Sequence, residues 1–292
     1  MNKKKICPIC RKIDTKFFLK GNMKKNYNGV IDVKCTSMSN NLKPTLYKCV
    51  NCSIVFSQFV NNKFENLYKD VVDKDYLKQL KMKKKSFEYF LNSINTHISK
   101  SKNVLELGSY YGVLGSLIKQ KVKNYTGIEF SKSASNYAKK KFNLNIKSNF
   151  NQIKMNKYDL IILCDVIEHV DDPLKIVKQI KSVLKKNGTI IMSTMDIESA
   201  YAKILGTKYP WIMPMHKFYF SLKSLKFLLN RANLKIVNYH YEKKITSLGY
   251  LLKKISTILF GGKFQRLNFD NKYLNNIYLK LNFFDLKIFI IK

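Results

Sequence analysis

Arginine is nearly missing from this chain: three residues (Arg11, Arg231 and Arg266) among 54 Lys and Arg. Bidentate reading of phosphate or guanine favours Arg, so the formal charge of +35 does not by itself indicate a nucleic-acid reader. Acids are few as well, 19 Asp and Glu, and the surplus Lys is spread along the chain rather than gathered into blocks. It comes with many Asn, Ile, Tyr and Phe, a set with AT-rich codons, so coding composition accounts for it as readily as selection for a polyanion. Nucleic acid is therefore disfavoured as a partner. A basic surface still attracts anionic metabolites and membrane headgroups.

Long apolar runs are also lacking, and none reaches the ~20 residues of a membrane span. The start, MNKKKICPICRK, has charge but no apolar core behind it, unlike a secretory signal. The expected compartment is the cytoplasm. Six cysteines in 292 residues are too few for a disulfide framework in such a chain. No internal repeat is present.

Four of those cysteines form two C-x-x-C pairs, Cys7-Cys10 and Cys49-Cys52. Two residues between thiols let both sulfurs face one centre, and four thiolates complete a closed tetrahedral Zn²⁺ site with no open position for water. The expected metal is structural. Val30, Ile31 and Val33, then Leu46 and Tyr47, alternate enough to form strands between the pairs. Cys35 is a spare ligand or a buried apolar residue. From Asn61 to Ile98 the period turns helical: Phe64, Leu67, Tyr68 and Val71 form one stripe and Phe87, Phe90, Leu91, Ile94 and Ile98 another, with a Lys-rich stretch between. His97 is expected at a boundary.

The stretch Asn103 to Phe130 organises the rest. Val104 to Leu107 is an apolar strand, Gly108-Ser109-Tyr110-Tyr111-Gly112 a turn, and Val113, Leu114, Leu117 and Ile118 fall at helical spacing. A second strand, Tyr125 to Ile128, ends in Glu129, 23 residues after Glu106. Strand, glycine turn, helix, strand and acid together hold an adenosine-containing ligand, the acid accepting both ribose hydroxyls. Tyr110 stands where a dinucleotide fingerprint wants its second glycine, which disfavours NAD and FAD. Glu106 suits a ligand with a positive end.

These residues resemble motif I of the class I S-adenosylmethionine-dependent methyltransferases. Tyr158 to Pro173, YDLIILCDVIEHVDDP, is similar to the following signature in the family of ubiquinone-pathway O-methyltransferases and their surface-sugar relatives. The resemblance implies that Gly108, Ser109, Tyr110 and Gly112 hold the methionine end of the cofactor, and that Glu106 meets its ammonium or braces the loop. It also places Glu129 with Phe130 at the ribose, Asn149 near adenine, and Asp165 and Val166 at the sulfonium. A four-cysteine start recurs in sugar-modifying members. Nucleobase methylation is disfavoured, since the D/N-P-P-aromatic run that grips a flipped base has no counterpart at Asp165-Val166-Ile167-Glu168.

Asp172 reads as an N-cap with Pro173 opening a helix that ends at Asn187-Gly188, and Thr189 to Thr194 as a strand. Asp196 to Phe220 reads as a long loop, a length that is usually functional. Relatives carry a His before the next helix; here it is His216, the first candidate for the acceptor-side base. His169 is either a second base or a prop for the helix start. Tyr209 and Trp211 are placed to stack on the acceptor. Leu234 to His240 and Ile288 to Ile291 supply a sixth and an antiparallel seventh strand. Ile245 to Phe260 is amphipathic, suited to capping the pocket or to peripheral contact with anionic membrane.

The expected fold is α/β: a Rossmann-like, seven-stranded, mostly parallel sheet with helices on both faces, plus a small N-terminal zinc-binding β module. Its divisions are a zinc-ribbon-like module (1–60), a helical connector (61–100) and a methyltransferase domain (101–292) with a helical insertion at about 242–284. The expected activity is methyl transfer from S-adenosylmethionine to an O or C acceptor on a small anionic metabolite, such as a nucleotide-linked sugar or a lipid or polysaccharide precursor. An RNA methyltransferase and a non-catalytic zinc-dependent binding protein of the same fold remain open alternatives, as does the oligomeric state.

Overall fold

The two cysteine pairs are set by three short strands, β1 (Thr15–Leu19), β2 (Leu46–Cys49) and β3 (Val55–Ser57), paired antiparallel in that order. The structure is a computed structural model that describes residues 5–24, 34, 42–59, 68–155, 157–260 and 271–292. Val30, Ile31, Val33, Cys35, Phe64 and Leu67 of the sequence reading lie outside the described residues. Helices α1 (Lys74–Lys78) and α2 (Leu80–Ser93) follow. The Lys-rich stretch 81–85 does not separate two helices but lies inside α2. Lys is a good helix former, and Met82 between the lysines is buried beside Phe90 and Leu91.

Next come β4 (Asn103–Leu107), α3 (Val113–Ile118), β5 (Asn124–Ile128), α4 (Lys132–Phe142), β6 (Ile146–Lys147), β7 (Tyr158–Cys164), α5 (Pro173–Val183) and β8 (Leu184–Met195). Strands β4 to β8 are parallel, which requires the intervening crossovers. Val104, Leu160 and Ile162 enter one apolar core with Leu114, Ile118 and Phe90. Leu105, Ile161 and Leu163 enter the other with Val177 and Ile180. Successive residues of one strand thus face opposite cores, the reason these strands read as unbroken apolar runs.

Asp172 caps α5 by accepting the Lys175 amide at 3.0 Å, and Pro173 occupies the first turn. The helix ends at Val183, before Asn187-Gly188: Leu184 turns to extended geometry and pairs with Tyr158. The expected loop after β8 contains structure too, α6 (Ala200–Leu205) and β9 (Phe218–Tyr219). Helix α7 (Leu222–Asn230) opens with a reciprocal Ser221–Ser224 cap. Then come β10 (Ile236–Tyr241), β11 (Lys244–Ser247), α8 (Leu248–Phe260), α9 (Lys272–Asn276), β12 (Tyr278–Leu281) and β13 (Leu286–Ile291).

The large sheet has the order β6-β5-β4-β7-β8-β13-β10, with β13 antiparallel to both neighbours. The insertion before β13 is not wholly helical, because β11 and β12 pair antiparallel around α8 and α9. Their four-residue segments, KITS and YLKL, are too short to show a clear alternation. The small sheet gains its fourth strand from far along the chain: Val55 pairs with Tyr219 and Phe56 with Phe218 across β3 and β9. Cys49, Ile54 and Phe56 accordingly share a core with Phe218, Phe220 and Leu225. Among the described residues no helix is long and apolar enough to cross a membrane.

Candidate active site

Chain progression reverses at β4, between β5 and β7, and a crevice at the carboxyl ends of the strands is expected there. A cavity of about 1590 Å³ occupies that position. Single-ligand pockets run to roughly 300–1,000 Å³, so this one has room for two molecules side by side. Of the residues singled out from sequence, Glu106, Gly108, Ser109, Tyr110, Glu129, Phe130, Asn149, Asp165, Val166, His169 and His216 all reach its wall.

Gly108, at φ +75°, is required by its surroundings, because a Cβ there would sit 2.6 Å from the Val166 side chain. It locks the first loop against the loop after β7. Gly112, at φ +77°, is different: its Cβ would meet Ala138 of α4 at 2.7 Å, and it is not part of the cavity wall. Its smallness serves helix packing. Tyr110 adopts φ +44°, and its ring turns into a cluster with Tyr76 and Tyr111, the Tyr76 centroid 4.7 Å away. The Tyr110 hydroxyl donates to Asp73 at 3.0 Å. A bulky residue in the glycine-rich turn therefore leaves the crevice open.

The Tyr110 amide donates to Glu129 Oε2 at 2.7 Å, and the Ser131 amide to Oε1 at 2.7 Å. The Phe130 amide and the Tyr68 side chain also donate to this carboxylate. Burial pushes this carboxyl up to about 7, against the pull of those amides. Glu106 is likewise raised by burial, to about 8, and accepts the Tyr125 hydroxyl at 2.5 Å. Asn149 spends its side-chain oxygen on the Asn151 amide at 3.0 Å, capping a short turn at the cavity edge.

Asp165 stands at φ +54° and accepts from Ser193 at 3.1 Å and from Lys244 at 2.9 Å. Burial raises it, but the Lys244 ammonium more than reverses that and holds it below its ordinary value. Lys244 also pairs with Glu242 at 3.2 Å. Glu168 accepts the Thr194 hydroxyl on Oε2 at 3.1 Å, while Oε1 has no partner among the described residues. Burial, with Asp165 nearby, pushes Glu168 up to about 8.

The His169 and His216 rings meet edge to face at 4.5 Å. His169 Nδ1 lies 3.4 Å from the Met215 carbonyl; His216 Nδ1 has no partner among the described residues. Burial lowers both, His169 to about 4, so both rings are neutral at pH 7. One donor atom from each of Glu168, His169 and His216 lies within 4.8 Å of the others, close enough for the three to share one bound atom. Trp211 is on the cavity wall. Tyr209 is not: it is fully buried and donates its hydroxyl to Asp285 at 2.9 Å.

Cys7, Cys10, Cys49 and Cys52 converge with all four sulfurs within 4.8 Å of one another. Cys7–Cys52 and Cys10–Cys49 are each 3.5 Å apart. A tetrahedral zinc with ~2.3 Å bonds needs sulfurs about 3.8 Å apart, so the donor set fits that ion. Glu168, Glu242 and Lys244 were missed from sequence. Glu168 lies inside a quoted motif, whereas the other two reach the cavity only because the insertion folds back.

A family model described as a methyltransferase domain matches residues 79–239. The ubiquinone biosynthesis O-methyltransferase of Actinobacillus pleuropneumoniae is 27% identical over 164 residues, covering 48% of this chain and 70% of that protein. The protein of the same name from Rickettsia canadensis is 33% identical over 131 residues, covering 41% of this chain and 54% of its own length. The chain thus spans about half the length of several such relatives, 51% for the one from Coxiella burnetii. A solved S-adenosylmethionine-dependent methyltransferase from Archaeoglobus fulgidus superposes with a TM-score of 0.50 at 18% identity, covering 75% of this chain and all of that one, a likeness of fold.

Proposed function

This chain belongs to the methyltransferase-domain family, in the S-adenosylmethionine-dependent class I branch, and from that membership we propose that it methylates an oxygen or carbon of a small anionic metabolite. The observation that carries the proposal is the cavity itself. Glu129, beside the Gly108–Tyr110 turn, and the Glu168–His169–His216 group share the wall of one space large enough for two molecules. S-adenosylmethionine supplies a methyl group already activated on a sulfonium.

The chain's residues supply alignment and proton handling. Alignment alone contributes about 7–11 kcal/mol when the reacting groups are held in line. Glu129 accepts the ribose hydroxyls, and Phe130 and Asn149 border the adenine. The backbone from Gly108 to Tyr110 holds the methionine end, with Gly112 fixing the turn from behind. Glu106, in ionised form, meets the ammonium. Asp165 and Val166 bound the sulfonium side, where Asp165 stays charged through Lys244. His216 takes the acceptor proton; its neutral ring is ready to accept, and Glu168 beside it, in ionised form, stabilises the imidazolium that results. His169 buttresses the pair. The four cysteines hold a structural Zn²⁺ that fixes the ribbon against β9.

The test is incubation with methyl-labelled cofactor and a fractionated cell extract. Label in the small-molecule fraction, absent with Glu129→Ala, is the expected outcome. Label confined to RNA, or no label with the cofactor bound, would overturn the proposal.

A further inference from the structure

The cavity is electrically divided. Most of the acids on its wall, among them Glu106, Glu129, Asp165, Glu168 and Glu242, face it from the large sheet and its loops. Lysines face it from elements outside that sheet, among them Lys43 just before β2 and Lys254 on α8. These two converge on one dipeptide: the Lys43 ammonium donates to the Ile212 carbonyl at 2.7 Å, and the Lys254 ammonium lies 4.6 Å from the Trp211 ring centre.

Buried lysines are normally paired. The buried Lys217 and Lys287 and the half-buried Lys244 each hold a carboxylate, on Asp171, Asp196 and Asp165 respectively, whereas Lys43 and Lys254 are half-buried like Lys244. Among the described residues Lys43 and Lys254 have no ion-pair partner. The acid nearest Trp211, Asp285, has its Oδ2 committed to the Tyr209 hydroxyl and the Trp211 indole, both at 2.9 Å. Burial pushes Lys43 and Lys254 down to about 8 each; at Lys254 the charges of Lys83, Lys244 and Lys43 add to the effect, and that of Asp285 offsets part of it. Two ammonium groups on one half-buried wall, with Asp285 acting on Lys254 alone, are favoured when a further anion joins them.

We propose that Lys43 and Lys254 form a subsite for a phosphoryl group carried by the acceptor, with the ribbon and the insertion as its two sides and Trp211 between them. The proposal rests on the methyl-transfer reading of the same cavity. Two ammonium groups act as point charges suited to a multiply charged phosphate, whereas a carboxylate is matched better by the planar fork of Arg. The ribbon thereby becomes part of the acceptor wall in addition to a prop for β9. The acceptor is held at the end of the cavity served by the lysines, leaving the carboxylate-lined end to the sulfonium.

Trp211 is the only tryptophan in the chain, so its emission reports on this spot directly. The experiment titrates the full chain with inorganic pyrophosphate at constant ionic strength, and in parallel with phosphatidylcholine vesicles with and without phosphatidic acid. The expected result is a saturable change in emission with pyrophosphate, weakened at least tenfold by Lys254→Met and by Lys43→Met. Saturation only with phosphatidic acid vesicles, with the same sensitivity to both variants, supports the subsite and assigns the phosphoryl group to a lipid. A change that merely tracks added salt, or equal affinity in wild type and Lys254→Met, overturns it. Lys254→Met leaves the Lys43–Ile212 hydrogen bond in place, so it decides the matter even where Lys43→Met fails to fold. Calorimetry with S-adenosylmethionine on the same samples separates the two ideas: cofactor binding with no response to either pyrophosphate or phosphatidic acid vesicles sinks the subsite alone, and no cofactor binding sinks the methyl-transfer reading.

Discussion

Two buried carboxylates set how the cavity responds to pH. Glu129 titrates near 7 and Glu106 near 8, both raised chiefly by burial. Below those values each is protonated and loses the charge that favours ribose hydroxyls or an ammonium. Affinity for S-adenosylmethionine is therefore expected to rise from pH 6 to pH 8, by up to tenfold per unit for each group that must ionise. Glu129→Gln is expected to cost about 1.5–3 kcal/mol of binding, the usual worth of hydrogen bonds to a charged group, and to flatten the Glu129 part of the profile. Calorimetry across that pH range checks both. On the acceptor side, His216→Asn is expected to lower kcat about 10²–10⁴-fold with cofactor affinity unchanged, as steady-state kinetics will show. Much at this scale was legible. The distance from Glu106 to Glu129 along the chain marked both, because a strand–helix–strand unit has a fixed length. The meeting of His169 with His216 was not, since they are 47 positions apart and the second is carried into place by long-range contacts, the pairing of β3 with β9 and the Lys217 and Phe218 amides donating to the Glu168 carbonyl. Glu242, Lys244, Lys43 and Lys254 were invisible for a related reason: a Lys in a Lys-rich chain carries no local signal until a fold removes it from water.

At the scale of elements, the ribbon and the acceptor loop form one structure. The Ser57 amide donates to the Lys217 carbonyl at 2.9 Å, Lys48 pairs with Glu198 at 2.6 Å, and Arg231 donates to the Ile9 carbonyl at 2.9 Å. Removing a thiolate should therefore be felt in the active site. Cys49→Ser is expected to lose about one bound zinc per chain and to reduce hydrogen-exchange protection in residues 216–220. Unchanged metal content would contradict the site, and metal loss with full protection of 216–220 would contradict the coupling. The sequence showed both cysteine pairs, whose local spacing is diagnostic, but not β9: a two-residue strand has no periodicity to read. The same limit hid β11 and β12, leaving the insertion to be taken as helical.

Across the whole molecule, the order of the large sheet follows from patterns long enough to be unambiguous. Six apolar residues among the seven of β7, with flanking helices, dictate a doubly covered parallel strand, and β13 and β10 complete the antiparallel edge. The surplus of positive charge says less about partners than the arrangement inside, with most acids on the sheet side of the cavity and, on the ribbon and the insertion, Lys43 and Lys254 without an ion-pair partner among the described residues. In the proposed function a cationic cofactor end and an anionic acceptor would thereby be held apart until the methyl group lies between them. The central claim is that the crevice beside β4 and β5 holds one S-adenosylmethionine, and isothermal titration of the full chain with that molecule at pH 8 tests it most directly. The account predicts a saturable heat with one site per chain, displaced by S-adenosylhomocysteine and weakened at least tenfold in Glu129→Gln. The absence of saturable heat, or equal affinity in wild type and that variant, would contradict it.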